Sequence, residues 1–257
     1  AQAVAAEARE RAQAVATEAR ERAQAVAAEE TLPREVAVER GRGALRLALA
    51  GVAGFGLIFA IVRLRWTTRF DVAVTRGLQR LRLAGLPQLM AVVSWPGFPP
   101  QSRIIPFVLS GTIALLGFPL EALFQLLGWG TGLVSTLTKA VMKRPRPLQP
   151  EVRVVVARLG GSSFPSGHVI TYMGVYGVLA YLVHTLVRPV AVRRAAVGLL
   201  MALLALVGPS RIYQGHHWAT DVLASYMLGL SYLIGLTAVY RRLKSSLHPR
   251  LSDPPRS

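Results

Sequence analysis

The sequence predicts an all-α, polytopic membrane protein, with six transmembrane helices, an interfacial amphipathic helix and an N-terminal helix built on an 11-residue repeat. Three observations carry that expectation. From Ala44 onward, uncharged apolar runs of membrane-spanning length alternate with short polar or basic stretches. The 257 residues are 52% hydrophobic and only 17% charged, with a mean hydropathy of +0.40. Finally, 30 Lys and Arg against 13 Asp and Glu give a formal net charge of +17, and the cations mostly cluster between the apolar runs. So apolar a chain is neither disordered nor a coat for nucleic acid, and anionic lipid headgroups are the partner its charge implies. No cysteine is present, which excludes disulfides, thiolate nucleophiles and cysteine-ligated zinc or iron–sulfur centres.

Residues 1–32 read as a helical extension. AQAVAAEARER at 1–11 recurs as AQAVATEARER at 12–22 and begins again as AQAVAAEE at 23. Ala, Glu, Arg and Gln are strong helix formers. Eleven residues over three turns is about 3.67 per turn, so such helices, if associated, would supercoil weakly to the right. The stripe marked by Val4, Val15 and Val26 is otherwise mostly alanine, which suits a solvated helix better than a packed one; self-association through residues 1–30, or a helix on the membrane surface, stays open beside that reading. Glutamates and arginines interrupt every apolar stretch here, so the segment is not a signal peptide.

Residues 33–244 read as the membrane domain, with spans expected at about 44–62, 103–118, 121–140, 168–187, 195–209 and 221–240. Between the first two, FDVAVTRGLQRLRLAGL at 70–86 carries apolar residues at helical spacing with arginines between them, the pattern of a helix lying in the interface. SWPGFPP at 94–100 breaks the chain before the second span. Residues 245–257 read as a flexible polar tail. Six spans put both termini on one side. The positive-inside rule does not choose that side, because Arg63, Arg65, Arg69, Arg76, Arg80 and Arg82 offset the basic residues near the termini.

Three short segments gather the polar residues that a membrane protein otherwise avoids, and six spans put all three on one face. They are Lys139 to Pro147, Pro165 to His168, and Ser210 to Asp221. Lys139, Arg146 and Arg211 supply three cations suited to a tetrahedral dianion, the arginines as planar forks and the lysine as a point charge. Ser166 and Gly167 add a hydroxyl and unhindered backbone N–H groups at a helix start. His217 and Asp221, four residues apart, share a helix face, so the carboxylate can hydrogen-bond one imidazole nitrogen and leave the other to attack. His168, from another span, can protonate a leaving alkoxide. Lys143 and Arg144 read as topology anchors or headgroup contacts.

These segments resemble the signatures K-x6-RP, PSGH and SR-x5-H-x3-D of the type 2 phosphatidic acid phosphatase superfamily of integral-membrane lipid phosphatases. All three are complete and in order, and the likeness extends over roughly residues 44–240. The resemblance implies that His217 is the nucleophile, forming a phosphohistidine, and that Asp221 orients it. His168 would be the general acid and then the base that activates water. Lys139, Arg146, Ser166, Gly167 and Arg211 would bind the phosphoryl oxygens, and neither a metal nor an organic cofactor is implied. The spacing from Arg211 selects His217 over His216. The activity implied is metal-independent hydrolysis of the phosphomonoester or diphosphate of a membrane lipid: undecaprenyl diphosphate, phosphatidylglycerol phosphate or phosphatidic acid. The resemblance also implies a bacterial cytoplasmic membrane, with the site facing the extracytoplasmic side. Phosphoryl transfer to another acceptor, or a scaffold or transport role on the same fold, are the alternatives; the complete residue set speaks against the scaffold.

Overall fold

Helix by helix, the chain mostly turns where glycine or proline ends a helical run. The computed structural model describes residues 6–7, 9–15, 17, 34–155 and 159–247, and no strand occurs among them. Part of the repeat is helical, with Arg11 paired to Glu7 one turn earlier at 2.6 Å. The rest of the repeat, the boundary at residue 32 and the tail from 248 lie outside the described residues. From Arg34 the helices are α1 (Arg34–Arg63), α2 (Thr68–Gln79), α3 (Leu86–Ser94), α4 (Gln101–Leu115), α5 (Pro119–Gly128), α6 (Thr131–Met142), α7 (Gly167–Leu186), α8 (Val190–Tyr213) and α9 (Ala219–Leu247).

Four stretches are long and apolar enough to cross a bilayer: Gly41–Arg63, Gly167–Leu186, Val190–Tyr213 and Ala219–Lys244. This is a multi-pass membrane protein. Large apolar side chains such as Leu47, Leu57, Leu199, Met201 and Val239 lie on the outside of these helices, where lipid is their natural solvent. The runs expected as second and third spans are built differently. Helix α4 has 15 residues, about 22 Å at 1.5 Å each, short of a hydrocarbon core of about 30 Å. The third run is two helices, α5 and α6, broken at Trp129-Gly130.

Close backbone contact explains the glycine at the end of α5. A β-carbon on Gly128 would fall 2.5 Å from the carbonyl oxygen of Gly174, and one on Gly174 would fall 2.0 Å from that of Gly128. Glycine lets α5 and α7 touch but weakens the helix at that point. The freed carbonyls find partners: Tyr232 donates to Leu127 O at 2.7 Å and Thr131 to Gly128 O at 3.0 Å.

Helix α7 is apolar on every face and therefore central. Its Val169, Tyr172, Val175 and Tyr176 pack against Leu204 and Val207 of α8 and Val222 of α9. A second cluster joins Ile58 and Val62 of α1 to Met142, Phe164 and Ala224, which fixes the end of α1 beside the chain that leaves α6. Away from these, Glu121 of α5 accepts from Tyr240 at 2.8 Å and pairs with Lys244.

The amphipathic segment is helical only over α2, and the chain re-forms as α3 after Gly85, whose φ is +79°. Pro87 in the first turn of α3 suits a helix start. Helix α2 does more than lie at an interface, because its Asp71 and Thr75 are buried. Its end holds the loop leading from α6 and the end of α8: Gln79 donates to Arg153 O at 2.7 Å and Tyr213 O at 3.0 Å, and Arg76 to Glu151 O at 2.9 Å.

Candidate active site

The end of α6, the start of α7, the end of α8 and the start of α9 meet at one end of the bundle, and they bring all eight expected site residues there. Lys139 lies in the last turn of α6. Beyond it, residues 144–146 run against 162–164: Arg144 N–H donates to Ser162 Oγ at 3.0 Å, and Ser163 N–H donates to Arg144 O at 2.9 Å. Trp218 Nε1 and Ser163 Oγ both donate to Pro145 O at 3.1 Å. The Ser166 N–H is held by Ser225 Oγ at 2.8 Å, and that hydroxyl donates to Asp221 O at 2.7 Å. These bonds anchor the turn that opens α7 to α9. A β-carbon on Gly167 would come 3.4 Å from Lys139 Nζ, so the lysine sits directly over the turn.

His217 is buried, and its Nδ1 is 2.7 Å from Ser163 O. A carbonyl only accepts, so Nδ1 carries the proton and Nε2 holds the lone pair. Nε2 lies 3.3 Å from Arg146 Nη1. Burial, and then the nearby Arg211, Arg146 and Lys139, hold the His217 pKa well below its ordinary value, which keeps the ring neutral.

The expected hydrogen bond from His217 to Asp221 is absent. Asp221 Oδ2 is 3.7 Å from Nδ1 and instead accepts the Trp218 N–H at 2.9 Å. Its Oδ1 is 2.5 Å from Arg144 Nη1. The orienting acceptor is the main-chain carbonyl of Ser163, which side-chain spacing cannot reveal. Asp221 remains a close anion beneath the ring, with none of its side chain exposed.

Arg211 is fully buried, donating to Gln214 Oε1 at 2.9 Å, with Nη2 2.6 Å from His216 Nδ1. His216 Nε2 in turn donates to Val155 O at 2.8 Å. Burial and the Arg211 charge push the His216 pKa down to about 4, so it is neutral and holds the arginine in place. Phe98 covers the group. Its ring centroid is 4.6 Å from that of His168, edge to face, and 4.9 Å from Arg211 Cζ. Gly97 lets it do so, since a β-carbon there would fall 2.2 Å from His168 Cδ2.

Four buried polar atoms at this end of the bundle have no protein partner: Arg146 Nε, Arg211 Nε, Ser166 Oγ and His168 Nε2. Buried polar groups are ordinarily satisfied. Such a concentration of unsatisfied polar groups beside a neutral imidazole suits an anion.

The PAP2 superfamily model matches residues 120–245, the stretch that supplies all eight of these residues. The chain belongs to the PAP2 superfamily. It is 28% identical over 181 residues to phosphatidylglycerophosphatase B of Bacillus subtilis (strain 168), covering 68% of this chain and 86% of that protein. The crystal structure of the first transmembrane PAP2 type phosphatidylglycerolphosphate phosphatase from Bacillus subtilis has the same fold, with a TM-score of 0.68 at 23% identity. The match covers 76% of this chain and 96% of that one.

In this PAP2 chain, the residues that sequence reasoning missed lie behind and above the motifs. Arg144 is no topology anchor. Its Nη1 also donates to Thr220 Oγ1 at 2.8 Å, and its Nη2 pairs with Asp71 Oδ2 at 2.6 Å and Thr67 Oγ1 at 3.2 Å. Asp71, 1% exposed, also accepts the Thr220 N–H at 2.9 Å. Helix α2 therefore reaches the PAP2 site through Asp71, Arg144 and Asp221 in series.

Proposed function

We propose that this chain is a membrane lipid phosphatase that works without a metal, through a phosphohistidine on His217. The observation that carries this reading is the set of four buried, unpartnered polar atoms, on Arg146, Ser166, His168 and Arg211, gathered at the end of the bundle that holds His217. Lys139, Arg146 and Arg211 would hold the phosphoryl oxygens together with Ser166 and the backbone at Gly167. They stabilise the charge that grows on those oxygens as the reaction proceeds.

Nε2 attacks phosphorus while the bond to the leaving oxygen breaks, and His168 Nε2 gives that oxygen its proton. A bound dianion next to His168 favours the protonated ring this step needs. Neutral His168 then takes a proton from water as the water oxygen attacks the phosphohistidine. The P–N bond breaks, and inorganic phosphate leaves with His217 restored. The Asp221 carboxylate, held by Arg144, stabilises the positive charge on the phosphorylated ring.

The name of the Bacillus subtilis relative supports phosphatidylglycerol phosphate as a substrate, beside phosphatidic acid and undecaprenyl diphosphate. In this reading α4 and the broken pair α5–α6 complete six spans, and the site faces the extracytoplasmic side of the cytoplasmic membrane. Residues 33–244 are the catalytic unit, residues 1–32 a helical extension and residues 245–257 a tail. The test is phosphate release by detergent-purified protein from the three lipids in the presence of EDTA, with His217→Ala alongside. Release by the wild type alone supports the mechanism. No release from any lipid, or activity that returns only with Mg2+, refutes it.

A further inference from the structure

Three histidines stand at the site, and two of them are tethered through their ring nitrogens. His217 Nδ1 is held by Ser163 O, and His216 is held by Arg211 on one nitrogen and Val155 O on the other. His168 is the exception. Its Nε2 is buried without a protein partner, and its ring makes no hydrogen bond or ion pair with the described residues. It is the second residue of α7 and is buried. An untethered imidazole can turn about two side-chain bonds, and either turn carries Nε2 away from an oxygen it has to protonate.

What holds this ring is packing from one segment. Phe98 meets it edge to face, with centroids 4.6 Å apart, and the Gly97 backbone lies too close to Cδ2 to leave room for a β-carbon. The Phe98 ring also stands 4.9 Å from Arg211 Cζ and 6.3 Å from the ring of His216. Without Phe98, Arg211 would keep its bonds to Gln214 and His216, whereas His168 has none to keep.

Phe98 is itself fixed, and by the helices it covers. Its N–H donates to Trp95 O at 3.2 Å, and its carbonyl accepts the Ser102 N–H at 2.9 Å where α4 begins. Pro96, Pro99 and Pro100 restrict the backbone on both sides. Just before it, α3 is tied down three times. Tyr172, one turn beyond His168 on α7, donates to Val93 O at 2.7 Å. Ser94 Oγ is 2.7 Å from Oγ of Ser210, the residue before Arg211. Gln214, which accepts from Arg211, donates to Met90 O at 3.1 Å. These ties run to the helix turns that carry His168 and Arg211, so the ring is a fixed wall and not a lid.

We propose that Phe98 is a positioning residue for proton transfer to the leaving group: it aims His168 Nε2 at the oxygen that departs opposite His217, in place of the hydrogen bond that orients each of the other two histidines. The inference rests on the phosphatase reading above. As the P–O bond breaks, its electron pair stays on the oxygen and the His168 proton joins it. An alkoxide needs that proton, whereas p-nitrophenolate leaves without one. Loss of Phe98 should therefore be felt in proportion to the basicity of the leaving oxygen.

The test is kcat/KM, which covers the steps through departure of the leaving group, for the full chain on phosphatidic acid, phenyl phosphate and p-nitrophenyl phosphate. In Phe98→Ala it should fall about a hundredfold for phosphatidic acid, less for phenyl phosphate, and about threefold or less for p-nitrophenyl phosphate. Phe98→Leu keeps most of the side-chain volume and so protects the fold; it should show the same order on a smaller scale. Phe98→Tyr, which keeps the ring, should recover most of the wild-type rate. Even losses on all three substrates are the mark of a merely structural role and would overturn the proposal. Constants unchanged in both the alanine and leucine variants would overturn it too. So would a loss on phosphatidic acid with the two aryl esters alike, which would give the ring to the body of the lipid instead. A wild type that hydrolyses none of the three overturns the phosphatase reading and this inference with it, whereas an active wild type with even losses overturns this inference alone.

Discussion

Replacing Arg144 with glutamine removes one charge from between two buried carboxylates, neither more than 1% exposed. Its effect on the reaction runs through Asp221. Unit charges 3.7 Å apart at an effective dielectric of about 20 interact by about 4 kcal/mol. That is how far an ionised Asp221 can favour the positively charged phosphohistidine ring, and without Arg144 a carboxylate this deeply buried takes up a proton instead. The expected result is a fall in kcat of about a thousandfold with KM little changed. Stability should fall by about 3 kcal/mol, because a buried pair has lost one partner. Adding Asp71→Asn should restore much of the stability by removing the second uncompensated charge, and should leave kcat low. The assays are phosphate release across substrate concentration and thermal unfolding of the three variants. An Arg144→Gln protein with kcat within threefold of the wild type, or a double variant that regains activity along with stability, refutes the reasoning.

His217 must be neutral to attack and His168 protonated to donate, so the rate should be bell-shaped in pH. Because the His217 pKa lies below its ordinary value, the acid limb of kcat/KM should fall below pH 6.5; a midpoint above pH 7 contradicts the assignment. His216 is neutral when folded, with a pKa of about 4. Its contribution to stability is complete above the ordinary value near 6.5 and is lost as pH falls toward 4, by about 3 kcal/mol in all. Thermal unfolding of wild type and His216→Asn across that window measures it, and parallel curves would refute it. Gly97→Ala places a methyl 2.2 Å from His168 Cδ2, so kcat should drop at least about tenfold while the helical circular dichroism spectrum is kept. Unaltered kcat would show that His168 has room to move.

The eight motif residues were legible because each pairing is local or conspicuous. His217 and Asp221 lie one helical turn apart, and the cations interrupt apolar runs where charge is costly. Four of the six expected spans correspond to long helices for the same reason, their hydropathy being local. The break at Trp129-Gly130 was not legible, since it answers to a glycine of another helix. Asp71 reads as one more polar residue of an arginine-rich amphipathic stretch, because its partner Arg144 is 73 residues away. Arg144 itself reads as a membrane anchor until the carboxylates on either side of it are seen. Gly97 and Phe98 read as chain breakers, and only the fold shows His168 and Arg211 beneath them.

The carbonyl that fixes the tautomer of His217 belongs to the peptide after Ser163, and no side-chain replacement deletes it. Alanine at 163 forfeits the hydroxyl's bonds to Pro145 O and the Asp221 carboxylate but keeps the carbonyl. For the tautomer, the residue's identity is thus under light constraint while its register is under a heavy one. One residue inserted or removed between Gly161 and Pro165 would carry the carbonyl away from Nδ1 and leave the nucleophile free to present the wrong nitrogen. Substitution scans pass over such a position, and length variants are what reveal it.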